Sequence, residues 1–256
     1  MPNRPGVYVF HGEEGDLPLY IGKSVNIRAR LLSHFRNPDE AAMLRQARRI
    51  SHIRTAGEIG ALLLEAQMIK RQQPLFNQRL RRNRRLCALR VGRGVPEVVD
   101  SAAFDFATQP DLYGLFPGRR AALDALRALA DENRLCHGAL GLEKLARGRP
   151  CFRAMINRCA GACRGDESAE QHRARLLRAL EALKLVCWPY PGAIGLVERD
   201  GDLSQVHVVR NWCYLGSVHS EAEARGLRTV SAGFDADGYR ILCAPLLTRA
   251  VELVHL

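Results

Sequence analysis

Six polar side chains in roughly the first third of the chain, Tyr8, Tyr20, Lys23, Arg30, Glu65 and Asn77, make up a minimal kit for hydrolysing a phosphodiester. That reaction needs a water deprotonated, the charge on the phosphoryl oxygens neutralised and the leaving oxygen supported, and a metal with cationic side chains can supply most of this electrostatically. One carboxylate suffices to hold Mg²⁺, because that ion keeps several waters and takes further ligands from the substrate phosphate. One acid, one or two fixed cations and a base are therefore enough. Here they come in order: Gly6-Val7-Tyr8, then Tyr20-Ile21-Gly22-Lys23, then Arg30, Glu65 and Asn77.

A second group of reactive residues lies further on. Of eight cysteines, Cys87, Cys187, Cys213 and Cys243 are scattered in apolar surroundings, where cysteine is usually a small core residue. Cys136, Cys151, Cys159 and Cys163 are spaced C-x14-C-x7-C-x3-C. Thiolates at these intervals can close around one tetrahedral centre. The spacing is unlike the C-x2-C pairs of zinc ribbons or the tight run of ferredoxins.

These residues must be carried by definite elements. Gly6–Phe10 and Leu19–Ile21, around a Gly/Asp-rich turn, predict a β-hairpin. Helical spacing follows from Asn26 to Phe35 and from Glu40 to Arg49, with a third strand at Ser51–Arg54. A strong helix over Glu58–Gln72 ends before Pro74, its apolar face made by Ile59, Leu62, Leu63, Ala66 and Ile69. A linker with weak signals is expected over Gly92–Gly118, then amphipathic helices over Arg119–Asn133 and Glu167–Leu185. The last part predicts strands at Ile194–Glu198, Val206–Val209 and Trp212–Leu215, a helical piece at Ser220–Gly226 and a final strand at Tyr239–Cys243. The fold class is α+β, with three parts: 1–94 around a short antiparallel sheet flanked by helices, 95–165 holding a helical linker and the cysteines, and 166–256, a helix followed by a β-rich domain.

The formal charge of +11 points to a polyanion or an anionic membrane surface as partner. Between Glu65 and Glu97 there is no acidic residue. Lys70, Arg71, Arg79, Arg81, Arg82, Arg84 and Arg85 in that stretch are candidate phosphate contacts, with Arg90 and Arg93 beyond them, and such contacts would make binding salt-sensitive. No apolar run reaches the roughly 18–20 residues that span a bilayer. The N-terminal residues lead straight into a strand pattern without the apolar stretch of a signal peptide, so a cytoplasmic protein is expected, in which clustered cysteines favour metal over disulfides.

The two tyrosine triplets, with Lys23, Arg30, Glu65 in Leu64-Glu65-Ala66-Gln67-Met68-Ile69-Lys70 and Asn77 in Pro74-Leu75-Phe76-Asn77, resemble the GIY-YIG nuclease domain of the UvrC family, with Gly-Val-Tyr in the first triplet. The resemblance implies that Glu65 is the sole protein ligand of a catalytic Mg²⁺ or Mn²⁺. Tyr8 would be the general base, with Tyr20 the alternative base or a group orienting water or phosphate. A free phenol titrates near 10, so a base at neutral pH needs a cation beside it, and Lys23 fits. Arg30 would neutralise the scissile phosphate as a forked donor, and Asn77 would hold the geometry by hydrogen bonding. His34, a lone histidine near an apolar face, is left out of this set. The cysteine cluster also resembles that of UvrC-type proteins, which implies a [4Fe–4S] cluster, with Zn²⁺ the alternative.

After about residue 186 the chain departs from the long members of that family. Trp188-Pro189-Tyr190-Pro191-Gly192 leads into β-rich sequence, and seventy residues cannot hold a second nuclease and helix-hairpin-helix motifs. The resemblance to the short branch implies a structure-directed DNA endonuclease of nucleotide excision repair. It would make one incision, on the 3′ side of a lesion, in damaged or locally opened DNA presented by UvrA and UvrB. Two other readings compete. A homing or restriction enzyme would need a sequence-reading module, and no helix-turn-helix or zinc-finger pattern is present. A non-catalytic DNA-binding scaffold would not need the complete set of polar residues.

Overall fold

The computed structural model describes residues 1–13, 18–77, 86–227 and 234–256. They form two compact units, one of residues 1–83 with 188–256, the other of residues 84–187. In the first unit, β1 (Gly6–His11), β2 (Pro18–Ser24) and β3 (Arg49–Arg54) form an antiparallel sheet in the order β2-β1-β3. Its helices are α1 (Ile27–Arg36), α2 (Ala41–Gln46) and α3 (Glu58–Gln72). Strand periodicity sends Val7 and Val9 to one face, where they meet Ile21 and Ile69 of α3. Tyr8 and Phe10 go to the other, against Ile27 and Leu31 of α1. Because helices cover both faces, every residue of β1 is buried. Asn26 caps α1 by accepting the Ala29 N–H at 3.0 Å. The helix expected over Glu40–Arg49 is shorter, since Pro38–Glu40 forms a separate 3₁₀ turn and β3 begins at Arg49.

The second unit corrects the expected linker. Its stretch 92–118 contains β5 (Glu97–Asp100) and β6 (Leu112–Phe116), which flank β4 (Cys87–Arg90) in an antiparallel sheet. Strands of four or five residues among turn formers give too little alternation to read. The helices α4 (Arg119–Glu132) and α6 (Ala169–Leu180) bury Leu126, Ala130, Leu176 and Leu180 with Leu89 and Tyr113 of this sheet. Between them runs the cysteine segment with the one-turn helix α5 (Phe152–Met155). A boundary at 94 would cut off β4 from its sheet partners, and one at 165 would separate α6 from α4; both pairs share a single core.

The remainder of the first unit is a four-stranded antiparallel sheet in the order β10-β7-β8-β9, made of β7 (Ile194–Asp200), β8 (Leu203–Arg210), β9 (Cys213–Val218) and β10 (Glu252–His255), with α7 (Glu221–Gly226) and α8 (Ala236–Leu247). Tyr239–Cys243, expected as a strand, lies inside α8. Asp235 caps that helix by accepting the Asp237 N–H, and Gly238, Leu242 and Leu246 recur at helical spacing on its buried face. The β-favouring Tyr, Ile and Cys misled the propensity reading, and packing overrides it.

This part of the unit braces α3 at both ends, through β7 and the start of α8. Gly57, the N-cap residue, has no capping side chain of its own. Instead Glu198 of β7 accepts the N–H groups of Ile59 at 3.0 Å and Gly60 at 2.7 Å. A Cβ on Gly57 would stand 2.2 Å from that carboxylate, so only glycine admits it. His207 Nε2 meets the same carboxylate at 2.9 Å, and its Nδ1 meets Ser217 Oγ at 2.6 Å. At the other end, Lys70 Nζ lies 2.5 Å from Asp235 and 2.9 Å from Asp237. Glu198→Ala leaves two helix N–H groups and a fully buried histidine without their acceptor, and is expected to cost about 2–4 kcal/mol in urea unfolding; a loss under about 1 kcal/mol would refute the brace. Burial opposes ionisation of Glu198, but His207 and the two N–H groups outweigh it and hold the carboxyl below its ordinary value. Its contribution is therefore complete above the unfolded carboxylate range and is lost as pH falls through the lower folded value.

Candidate active site

Antiparallel register brings the two tyrosines together. Tyr8 pairs with Gly22 and Phe10 with Tyr20, so Tyr8 and Tyr20 are diagonal neighbours on one face, with ring centroids 6.2 Å apart. Gly22 has a steric task, because a Cβ there would stand 2.4 Å from the Tyr8 hydroxyl. Tyr8 is 1% exposed. Its hydroxyl lies 2.6 Å from His34 Nε2, and the Arg30 guanidinium is near enough for the two groups to shift each other's ionisation. Arg30 and His34 stand four apart on α1, which places both over the same patch of sheet.

Glu65 reaches the end of β2 from α3. Its Oε1 accepts the Lys23 backbone N–H at 2.9 Å, and its charge is felt by both tyrosines. Asn77 clamps β2 as a strand edge would: Oδ1 accepts the Ile21 N–H at 2.8 Å and Nδ2 donates to the Ile21 carbonyl at 2.7 Å. Tyr8, Tyr20, Arg30, Glu65 and Asn77 thus converge on one end of the hairpin.

Lys23 does not stand where the sequence reading put it. Its ammonium pairs with Glu58 at 2.5 Å; its backbone N–H binds Glu65, on which its charge also acts. The cation beside Tyr8 is Arg30. His34, set aside from sequence, is 1% exposed and belongs to the cluster. Its Nδ1 is hydrogen-bonded to Glu40 Oε2, so carboxylate, imidazole and phenol lie in series. The available signal was the four-residue spacing from Arg30, joined to a carboxylate, Glu40, in the turn that opens at Pro38.

Electrostatics sharpen this. Burial, then Tyr20 and Glu65, push the Tyr8 phenol well above its ordinary value, against the pull of Arg30. Tyr8 is therefore protonated at neutral pH. Burial lowers His34 despite Glu40, which leaves a neutral imidazole whose Nε2 can accept the Tyr8 proton. Burial also raises Glu65 above 4.5, only partly offset by the Lys23 N–H and the charges of Lys23 and Arg30. A half-buried carboxylate short of positive charge is suited to a cation, and a single carboxylate suits one that keeps its waters.

The basic stretch divides. Lys70 is 15% exposed on its side chain and neutralised by Asp235 and Asp237, which corrects its assignment as a phosphate contact. Arg71 is exposed. Arg79, Arg81, Arg82, Arg84 and Arg85 lie outside the described residues.

In the second unit the four cysteines gather. Cys136 and Cys151 sulfurs are 3.7 Å apart, Cys151 and Cys159 4.0 Å, and Cys163 Sγ accepts the Cys151 N–H at 3.3 Å. The sulfurs of Cys136, Cys151 and Cys163 lie within 4.8 Å of one another. Burial pushes the Cys151 thiol up, but the N–H groups of Gly138 and Ala154 and the neighbouring thiols bring it down to about 7. Burial and neighbouring thiols hold Cys159 and Cys163 at about 11. Such mutual opposition among packed thiols is what a bound metal relieves. A tetrahedral ion with metal–sulfur bonds near 2.3 Å sets ligand sulfurs about 3.8 Å apart; the Cys136–Cys151 and Cys151–Cys159 spacings are close to this, while Cys159 stands outside the trio of sulfurs within 4.8 Å. A cubane, which puts each thiolate on its own iron, needs them spread wider.

Three sequence families match the chain in tandem: the UvrC-like GIY-YIG domain over residues 4–78, the middle domain of UvrC/Cho excinucleases over 72–182, and the C-terminal domain of excinuclease Cho over 193–256. Excinuclease Cho of Shigella flexneri and that of Escherichia coli K12 are each 60% identical to this chain over 256 residues, covering all of it and 87% of theirs. The UvrABC system protein C of Caldicellulosiruptor saccharolyticus is 29% identical over 190 residues, 72% of this chain and 32% of that protein. The magnesium-bound GIY-YIG endonuclease domain of Thermotoga maritima UvrC is 32% identical over 30% of this chain and 85% of that one, with a TM-score of 0.28. Identity at this level along the entire chain, together with the three domains in order, shows that it belongs to the Cho family of excinucleases, DNA endonucleases built on a GIY-YIG domain.

Proposed function

We propose that this chain makes a single metal-dependent incision on the 3′ side of a lesion, in DNA opened and presented by UvrA and UvrB in the cytoplasm. The observation that carries the chemistry is the series Glu40–His34–Tyr8 ending beside Arg30 and Glu65. Glu65 would hold Mg²⁺ or Mn²⁺, which when bound would supply Lewis-acid chemistry to the phosphate. Tyr8 takes a proton from the attacking water while passing its own to His34 Nε2. Glu40 fixes the tautomer and steadies the imidazolium that results. Arg30 presents a forked donor to the phosphate oxygens. Tyr20 flanks the phosphate and orients the water, Asn77 keeps β2 in place, and Lys23 holds Glu65 through its backbone while its ammonium anchors Glu58.

The test is a duplex bearing one lesion, labelled on the damaged strand and incubated with the protein, UvrA and UvrB. One cut 3′ to the lesion is expected, with Mg²⁺ or Mn²⁺ and not without. Cutting of undamaged duplex at a fixed sequence would favour a restriction-type enzyme, and no cutting would leave a scaffold.

The four cysteines hold a structural metal centre, and the family resemblance makes it [4Fe–4S]. The 3.7 and 4.0 Å sulfur spacings carry zinc as the second reading. Anaerobically prepared protein is expected to absorb broadly near ~400 nm and to contain about four irons; a colourless protein with one zinc would assign the alternative. Cys136→Ser is expected to lose the metal and expose this segment to protease, because ligation replaces a core here.

A further inference from the structure

We propose that the cysteine-held segment of the second unit carries a binding face for an unpaired DNA strand. The inference rests on the reading of the chain as an enzyme of opened DNA. From Lys144 to Gly165 there is no acidic residue and there are six cations. Arg153 is paired with Asp131 and Arg164 with Asp166. Lys144, Arg147, Arg149 and Arg158 are exposed and have no anionic partner among the described residues. Four like charges on so short a stretch repel one another, and a polyanion would relieve that.

Large apolar groups are set among these cations. The buried side of α5 and its flanks, Cys151, Ala154 and Cys159, packs into the cysteine cluster. On the outer side, Phe152 is 54% exposed, Met155 57% and Ile156 44%. Beside them Arg134, Phe152, Ile156, Asn157 and Arg158 line an open groove of about 430 Å³, together with the Asp131–Arg153 pair. A flat ring, amide and carboxylate hydrogen-bonding groups and flanking guanidinium groups are what a splayed-out base and its phosphates require.

The chemistry selects among occupants. A protein-binding face would have an apolar centre depleted of charge, whereas here cations flank the apolar side chains. Duplex readout calls for a long helix or a two-stranded ribbon in the major groove, and α5 is one turn. An exposed phenyl ring gains most from a base already out of its stack.

Binding of a fluorescent oligothymidylate, followed by anisotropy, tests this in the full chain carrying Glu65→Gln, so that nothing is cut. Phe152→Ala and Phe152→Leu are each expected to weaken binding about tenfold while Phe152→Trp retains it, since stacking and not apolarity is required. Arg147→Ala, Arg149→Ala and Arg158→Ala together are expected to reduce the slope of log affinity against log salt by about 2. Equal metal content in all variants verifies that the cysteine segment is folded. Unchanged affinity and slope would overturn the proposal, as would intact DNA binding with lost UvrB binding, which would make this a protein face. Because the background cannot cut, either failure leaves the incision reading untouched.

Discussion

Glu65→Gln is expected to reduce incision about a thousandfold or more while leaving the metal-free protein at least as stable as before. Glutamine fills the same space, and its amide oxygen can still accept the Lys23 N–H that Glu65 accepts at 2.9 Å. What it removes is the anionic protein ligand for the metal, and with it Lewis-acid support worth several kcal/mol at the phosphoryl group. The stability half follows from the sign of the titration. Burial holds the Glu65 carboxyl above 4.5 in the metal-free fold, so ionising it there opposes folding. Stability of the metal-free wild type is thus full below the unfolded value and declines as pH rises through the folded one. The glutamine variant lacks that decline. Added Mg²⁺ or Mn²⁺ should raise the Tm of the wild type, by the equivalent of about 2.7 kcal/mol at a hundredfold excess over Kd, and leave the variant's unmoved. Incision that survives the substitution would remove Glu65 as metal ligand. Lost activity with a collapsed Tm would mean only that the helix had been damaged.

The parts of this site that could be read from sequence are those fixed by local periodicity. Two strands joined by a tight turn place Tyr8 and Tyr20 on one face by parity alone. An amphipathic helix stopped by Pro74 places Glu65 at the flank of its apolar stripe. What could not be read depends on contacts made across long separations. Lys70 is a free cation in any local window, yet Asp235 and Asp237, some 165 residues away, neutralise it. The capping of α3 by Glu198 is equally invisible, because glycine at the N-cap gives no sign of a carboxylate arriving from another sheet. Lys23 is the expected cation beside Tyr8 because it follows Tyr20 so closely, and nothing local shows that Glu58 pairs with its ammonium. His34 illustrates a different limit. A histidine on an apolar helix face is more often packing than chemistry, and only its two hydrogen bonds distinguish the cases. The domain boundaries failed for the related reason that the chain leaves the first unit near residue 84 and returns to it near 188.

Tyr8→Phe is the second substitution expected to abolish most activity, by about 10²–10⁴-fold, and it separates the relay from the metal. The ring survives, with its edge-on contact to Phe10 at 6.0 Å, so the core of the hairpin keeps its shape. Removing the hydroxyl strands His34 Nε2, at a cost of about 1–3 kcal/mol in stability, while metal-induced stabilisation through Glu65 stays. The pH profile then tests the direction of proton flow. Burial keeps His34 below 6.5, and Glu40 works against that. Wild-type incision should fall on the acid side as His34 takes up a proton and can no longer accept one from Tyr8. His34 also makes folding stability decline as pH drops from the unfolded value of 6.5 through the lower folded one. Glu40→Gln withdraws the opposing charge, so the acid limb moves to still lower pH, and the plateau falls because the imidazolium formed in the reaction has lost its partner. A structural role for Glu40 would lower the plateau without moving the limb. If instead Tyr8→Phe keeps more than about a tenth of the activity and Tyr20→Phe does not, the proton leaves through the other tyrosine, and the Glu40–His34 pair serves only to pack the back of the sheet.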